Sequence, residues 1–326
     1  MQKLDQLPFL GQLTLQGAAV CIAGNFRRAN CWVASCRPAE IRLRIWLLIR
    51  LCRGQGRLAL NRKTDMKTNP SWSSHQAKSF VDLWIGPAQM PPETLTDYLN
   101  VISSEEQQRF GRLRLESDRR RYLVSRILLR TALTFASKGK VDPRFWRYET
   151  NKYGKLAIVK TVGLPRLNFS LSHSKRLAVV AVSSKFDVGI DIEFLDRTAV
   201  VDPADVVLSR GERVWLSGRP SSSRWFDFLK LWTVKEAYVK LLGKGAFLDF
   251  SSFEIGMEPL RMVRTEAGDR QPADLHLTTR EIRTNDGVYQ LSLATRCRAF
   301  KSPRVALHVF DSRLIESKHQ DLLRAG

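Results

Sequence analysis

Apolar side chains recur at every second position in several short runs of this chain and at every third or fourth in others, and these two periods separate strands from helices. Alternation predicts strands in "FVDLWIG" from Phe80, "LNFSLSHS" from Leu167, "LAVVAVSS" from Leu177 and "VGIDIEF" from Val188. Further strands are expected in "FLDFSSFEIG", "DLHLTTREI", "VYQLSLATRC" and "RVALHVFD". Helical spacing marks "ESDRRRYLVSRILLRTALTFA", where Ser117 or Asp118 can cap the first turn, and Leu123 and Ile127 lie four apart. Arg119, Arg126 and Arg130 share another face of that helix, which an ordinary solvated surface would explain. Ser103 or Ser104 opens a capping box in "SSEEQQ", and Ser209 with Glu212 forms a second in "LSRGERVWLSG". "RWFDFLKLWTVKEAYVKLLGKG" reads as a long helix closed by Gly243.

The first "RLNFSLSHSKRLAVVAVSS" is echoed by the later "YQLSLATRCRAF", so the chain reads as an α+β protein of two similar α/β lobes. The N-terminal lobe is expected over residues 79–185 and the C-terminal lobe over 186–318, with 319–326 as a tail. Residues 1–78 look foreign to both. Residues 1–65 carry eleven Lys or Arg against Asp5, Glu40 and Asp65, and show no sustained period. An Arg-rich, acid-poor leader suits a transit peptide. A translation start at Met66 would equally make these residues dispensable, and an ordered extension is the third possibility.

Composition adds two constraints. The formal net charge of +21 points to an anionic partner without naming it. "IWLLI", Ile45 to Ile49 between Arg44 and Arg50, is too short to span a bilayer, so no membrane partner is expected. Four cysteines, Cys21, Cys31, Cys36 and Cys52, precede Cys297 with no C-x-x-C pair, which supports neither a zinc site nor a disulfide framework. A reducing, cytoplasmic setting is the simple inference. No helix-turn-helix, zinc spacing or aromatic RNA-binding strand supports a nucleic-acid partner.

Within "VGIDIEFLDR", a strand would turn Val188, Ile190 and Ile192 one way and Gly189, Asp191 and Glu193 the other. Two carboxylates on one face raise each other's pKa unless a cation neutralises them, and Mg2+ is the usual oxygen-loving cation. An amphipathic edge strand with a wet face explains the same pattern. Glu236 and Lys240 are neighbours at i,i+4, the spacing of an ordinary surface salt bridge. Lys235 points elsewhere on that helix and is expected to face solvent.

V-G-I-D-I-E, then about forty residues, then W-T-V-K-E-A-Y-V-K resembles the signature of the 4'-phosphopantetheinyl transferase superfamily, in its larger Sfp-type members. "RFGRLRLESDRRRYLVSRILLR" is similar to the family's basic N-lobe helix region, "YGK" at Tyr153–Lys155 to Y-G-K-P, and "NFSLSHS" to F-N-x-S-H-S. Leu156 stands where the pattern has proline, and "KTVGLPRL" lengthens the approach to Ser172 and His173. The resemblance runs from Phe80 to Phe310.

It implies two lobes in a pseudo-twofold arrangement and transfer of the phosphopantetheine arm of coenzyme A to a serine of an acidic apo carrier protein, releasing adenosine 3',5'-bisphosphate. Asp191, Glu193 and Glu236 would hold Mg2+. Glu236 or Glu193 would serve as base, and Lys240 would neutralise or protonate the leaving phosphate. Ser172 and His173 would meet coenzyme A phosphates, although a lone histidine is more often a core residue. Lys155, Arg109 and Arg121 would add phosphate contacts or lie on ordinary surface. Two lobes in one chain can form the cleft as a monomer. The rival readings are a catalytically inactive relative that binds carriers or coenzyme A, and a basic nucleic-acid-binding protein.

Overall fold

The structure is a computed structural model and describes residues 81–88, 98–160, 162–195, 207–269, 272–296 and 303–310. The leader with Met66, all five cysteines and the tail lie outside these residues.

Two mixed layers carry the chain. The first sheet has the order β11-β1-β5-β4, from Val81–Pro87 (β1), Asn168–Ser174 (β4), Leu177–Ser183 (β5) and Val305–Val309 (β11). β5 pairs antiparallel with both β1 and β4, while β11 returns from the end of the chain to pair parallel with β1. The second sheet has the order β6-β10-β9, all antiparallel, from Asp187–Phe194 (β6), Leu275–Thr284 (β9) and Gly287–Arg296 (β10). Tyr148–Thr150 (β2) with Leu156–Ile158 (β3), and Glu254–Met257 (β7) with Leu260–Arg264 (β8), form two small hairpins. Only the end of "FLDFSSFEIG" is therefore a strand, its middle being a 3-10 turn at Phe250–Ser252.

Four helices matter here: Ser104–Arg112 (α1), Glu116–Ala136 (α2), Arg210–Ser217 (α3) and Ser221–Leu242 (α4). Ser103 caps α1 with Glu106 completing the box, and Ser209 caps α3 with Glu212. Gly243 ends α4 in the left-handed conformation at φ 69°, where a side chain would be strained. The start of α2 differs from expectation: Leu115 is its N-cap and makes no side-chain capping bond, because Ser117 and Asp118 already lie inside the first turn.

α2 lays Leu123, Ile127 and Leu128 on the face of the first sheet that carries Trp84, Val180 and Val182. The other face of that sheet, Leu83, Ile85, Val179 and Ala181, meets Val188, Ile190 and Ile192 of β6 with Leu291 and Leu293 of β10. The arginine row of α2 is not a solvated surface. Arg130 is fully buried, its Nε donating to Glu106 at 3.2 Å and its Nη1 to the Pro143 and Trp146 carbonyls, and Arg126 pairs with the other Glu106 oxygen at 3.5 Å. These arginines tie α1 to α2. Arg119 donates to the Leu113 carbonyl at 2.7 Å.

Candidate active site

β6 separates its two faces as the alternation requires. With Val188, Ile190 and Ile192 in the core between the sheets, Gly189, Asp191 and Glu193 turn toward α4. Gly189 permits the contact: a Cβ there would sit 2.0 Å from the Ala237 carbonyl oxygen and 2.3 Å from the Leu241 nitrogen. The helix thus rides directly on the strand, and its last turns bring Lys240 down onto Asp191.

A second strand supports these acids. Ser170, Ser172 and Ser174 of β4 share one face, two residues apart. Ser170 Oγ accepts from the Ile190 N–H at 3.1 Å; Ser172 Oγ donates to Asp191 Oδ1 at 2.7 Å; Ser174 Oγ donates to Glu193 Oε2 at 2.9 Å and accepts from the Phe194 N–H at 2.9 Å. The serines stitch the edge of one sheet to the edge of the other and fix both carboxylates. The alternate serines of "SLSHS" are the signal for this ladder in the sequence, and Ser170 and Ser174 join Ser172 in it.

Lys240 Nζ donates to Asp191 Oδ1 at 2.6 Å and to Ser172 Oγ at 2.9 Å. Burial alone would pull this ammonium down, but Asp191, Glu236 and Glu193 outweigh it and hold the group above the usual lysine range. All three acids of the expected set therefore act on one cation. Asp191 is 4% exposed, and while its Oδ1 receives both donors, its Oδ2 is buried with no hydrogen-bond partner. A bare buried carboxylate oxygen is costly unless something else ligates it.

Among the described residues no group of three or more His, Cys, Asp or Glu side chains is placed to hold a metal ion. Mg2+ does not require one, since it typically takes one or two carboxylates, several waters and the substrate's phosphates. A hard oxygen left open on Asp191, with Glu193 on the same face, fits such an ion.

The remaining expected residues are dispersed. His173 is half-buried and faces away from Ser172, on the side of Phe169 and Leu171. Arg109 is exposed, with its guanidinium over the Tyr122 ring at 5.8 Å. Arg121 is half-buried and paired with Asp118. Lys155 does not reach Asp191; its Nζ donates to the carbonyls of Lys240 and Leu241, at 2.7 and 3.2 Å. It also lines a cavity of ≈ 380 Å³ with Asn151, Lys160, Arg166, Phe169 and Asp187, at the starts of β4 and β6.

Lys235 corrects the sequence expectation most sharply. It is fully buried, donating to both Glu212 oxygens at 2.7 and 2.6 Å and to the Phe253 carbonyl at 3.1 Å. Glu212 in turn accepts from the Ser209 N–H at 2.7 Å and the Ile255 N–H at 2.8 Å. The pair binds α3 and β7 to the helix that carries Glu236 and Lys240. Burial, working against Glu212, draws the Lys235 ammonium down to about 8.

An acid pair on a sheet edge, a lysine laid across it from a helix and a serine ladder behind it make up the candidate site. Residues 187–292 match the model of the 4'-phosphopantetheinyl transferase superfamily, and residues 89–185 match that of the 4'-phosphopantetheinyl transferase N-terminal region. The chain belongs to this superfamily. It is 31% identical over 180 residues to 4'-phosphopantetheinyl transferase HetI of Nostoc sp., covering 55% of this chain and 75% of that protein. Similarity to 4'-phosphopantetheinyl transferase psf-1 of Bacillus pumilus is 30% over 213 residues, or 64% of this chain and 82% of the other. With 4'-phosphopantetheinyl transferase Sfp of Bacillus subtilis it is 28% over 172 residues, covering 53% and 74%.

Proposed function

We propose that this chain moves the 4'-phosphopantetheine arm of coenzyme A onto a serine hydroxyl of an acidic apo carrier protein, in a Mg2+-dependent reaction that releases adenosine 3',5'-bisphosphate. The observation that carries the site assignment is the bare Asp191 Oδ2 beside the Lys240 ammonium. Family membership and the names of the relatives support the reaction.

The chemistry is a displacement at the β-phosphorus of coenzyme A. The carrier serine oxygen forms the new P–O bond, and the bond from that phosphorus to the bridging oxygen breaks. The serine proton passes to a carboxylate, Glu236 or Glu193, and the electron pair leaves on the 5'-phosphate of adenosine 3',5'-bisphosphate. Asp191 with Glu193 would hold Mg2+, Glu236 being the third ligand that the family resemblance implies, and the ion would supply neutralising charge to the diphosphate.

The chain's own residues do the rest. Lys240, kept cationic by the three acids, faces the leaving phosphate with a charge and a proton to give. Ser172 is spent on Asp191 and acts by holding that carboxylate still. Four residues back along β4 and β6, about 13 Å at strand rise, lies the cavity with Lys160 and Arg166 in its wall. Its distance suits the nucleotide end of coenzyme A while the diphosphate lies at Asp191. His173, Arg109 and Arg121 are assigned to coenzyme A phosphates, as the family resemblance implies, with their half-buried or exposed positions in support.

The proposal extends to architecture and setting: two lobes related by a pseudo-twofold, divided where one family match ends at 185 and the next begins at 187, acting as a monomer in the cytoplasm. No helix among the described residues is long and apolar enough to cross a membrane. A fluorescent coenzyme A conjugate tests the reaction. The label should enter apo carrier protein with Mg2+ and fail to enter with Asp191→Ala. Equal labelling by both proteins would remove Asp191 from the site.

A further inference from the structure

The Tyr-Gly-Lys loop grips the end of α4 from far away in the chain. Asn151 Nδ2 donates to the Gly243 carbonyl at 2.9 Å across 92 residues, and Lys155 Nζ donates to the Lys240 and Leu241 carbonyls. These are the C-terminal carbonyls a helix leaves without intrahelical partners, and a cation is favoured there by the helix dipole. The loop is prepared for the task. Asn151 Oδ1 accepts from the Tyr153 and Lys155 N–H groups, both at 2.9 Å, and the Asn151 N–H donates to the Lys155 carbonyl at 2.9 Å. The fit is tight: a Cβ on Gly243 would stand 2.8 Å from Lys155 Cδ.

The residue so held is Lys240 itself. Its carbonyl is fixed by Lys155, and its ammonium lies on Asp191 and Ser172. We infer that Lys155 and Asn151 are positioning residues for the transfer reaction, setting where Lys240 meets the acids, and that Lys155 is not a coenzyme A phosphate ligand. The loop also lines the cavity at the starts of β4 and β6, so substrate seated there would rest against the same clamp.

Resting as it does on the transfer reaction proposed above, this role needs a test with a readout besides activity. Lys155→Met removes the donor at similar length, Lys155→Arg restores one, and Asn151→Asp keeps the loop's own acceptor but loses the bond to Gly243. In Lys155→Met and Asn151→Asp, kcat at saturating coenzyme A should fall about ten- to a hundredfold, the cost of small misplacement. The calorimetric dissociation constant for coenzyme A should move less than about threefold, and Lys155→Arg should regain most of the rate. Amide hydrogen exchange over residues 239–243 should quicken in both loss variants. A coenzyme A affinity weakened with kcat intact would make Lys155 a phosphate ligand, and unchanged exchange would refute the clamp. If the wild type itself transferred nothing, the reaction would fall while the exchange result still judged the clamp.

Discussion

Replacing Lys235 by methionine should be among the most damaging single changes in the protein although it touches no substrate. The side chain is 0% exposed and gives its protons to both oxygens of Glu212, also 0% exposed, and to the Phe253 carbonyl. Breaking a buried pair from one side leaves the other charge stranded, at a cost of about 3–5 kcal/mol. Glu212 keeps the Ser209 and Ile255 N–H donors in the variant, which places the expected loss nearer the lower figure. The pair as a whole is not a large source of stability, so Lys235→Met combined with Glu212→Gln should cost far less than the two separate losses added together. Burial lowers the Lys235 pKa from 10.5 to about 8. Between these values the unfolded chain binds a proton that the folded chain has released, so stability contributed by this group rises with pH across that window. Urea unfolding followed by tryptophan fluorescence, on wild type, both single variants and the double variant, reads all of this. A Lys235→Met loss under about 1 kcal/mol, the worth of an exposed pair, or strict additivity, would refute the buried assignment.

Asp191→Asn should cut transfer by about 10²–10³-fold, as removal of one preorganised electrostatic group does, while circular dichroism shows the fold retained; near-wild-type turnover would contradict the site. Gly189→Ala drives a methyl into the backbone of Ala237 and Leu241 and should cost about 1–3 kcal/mol in unfolding experiments; a neutral result would mean α4 does not ride on β6. His173→Ala should raise the Michaelis constant for coenzyme A more than it lowers kcat, and an unchanged constant would remove His173 from the phosphate contacts.

β6 was readable because apolar and polar residues alternate along it in the sequence, so Val188, Ile190 and Ile192, packed in the core, announce where Asp191 and Glu193 must point. The capping boxes at Ser103 and Ser209 were readable because they are local. What the sequence concealed is long-range. Glu212 completes a cap three residues from Ser209, yet its carboxylate also takes Lys235 from 23 residues on, and no periodicity reports that second partner. Arg126 and Arg130 look like a surface row until Glu106 is known to lie under them, since arginine type alone says nothing of burial. Lys155 likewise reads as a phosphate ligand by motif, while its actual acceptors sit 85 and 86 residues away at the end of α4.

Intact mass spectrometry of an apo carrier protein, after incubation with the full chain, coenzyme A and Mg2+, tests the central claim most directly. A gain of one phosphopantetheine arm is expected, lost when the metal is chelated and lost with Glu236→Ala. An unchanged carrier mass across fatty-acid, polyketide and nonribosomal-peptide carriers, or a gain that survives both controls, would contradict it.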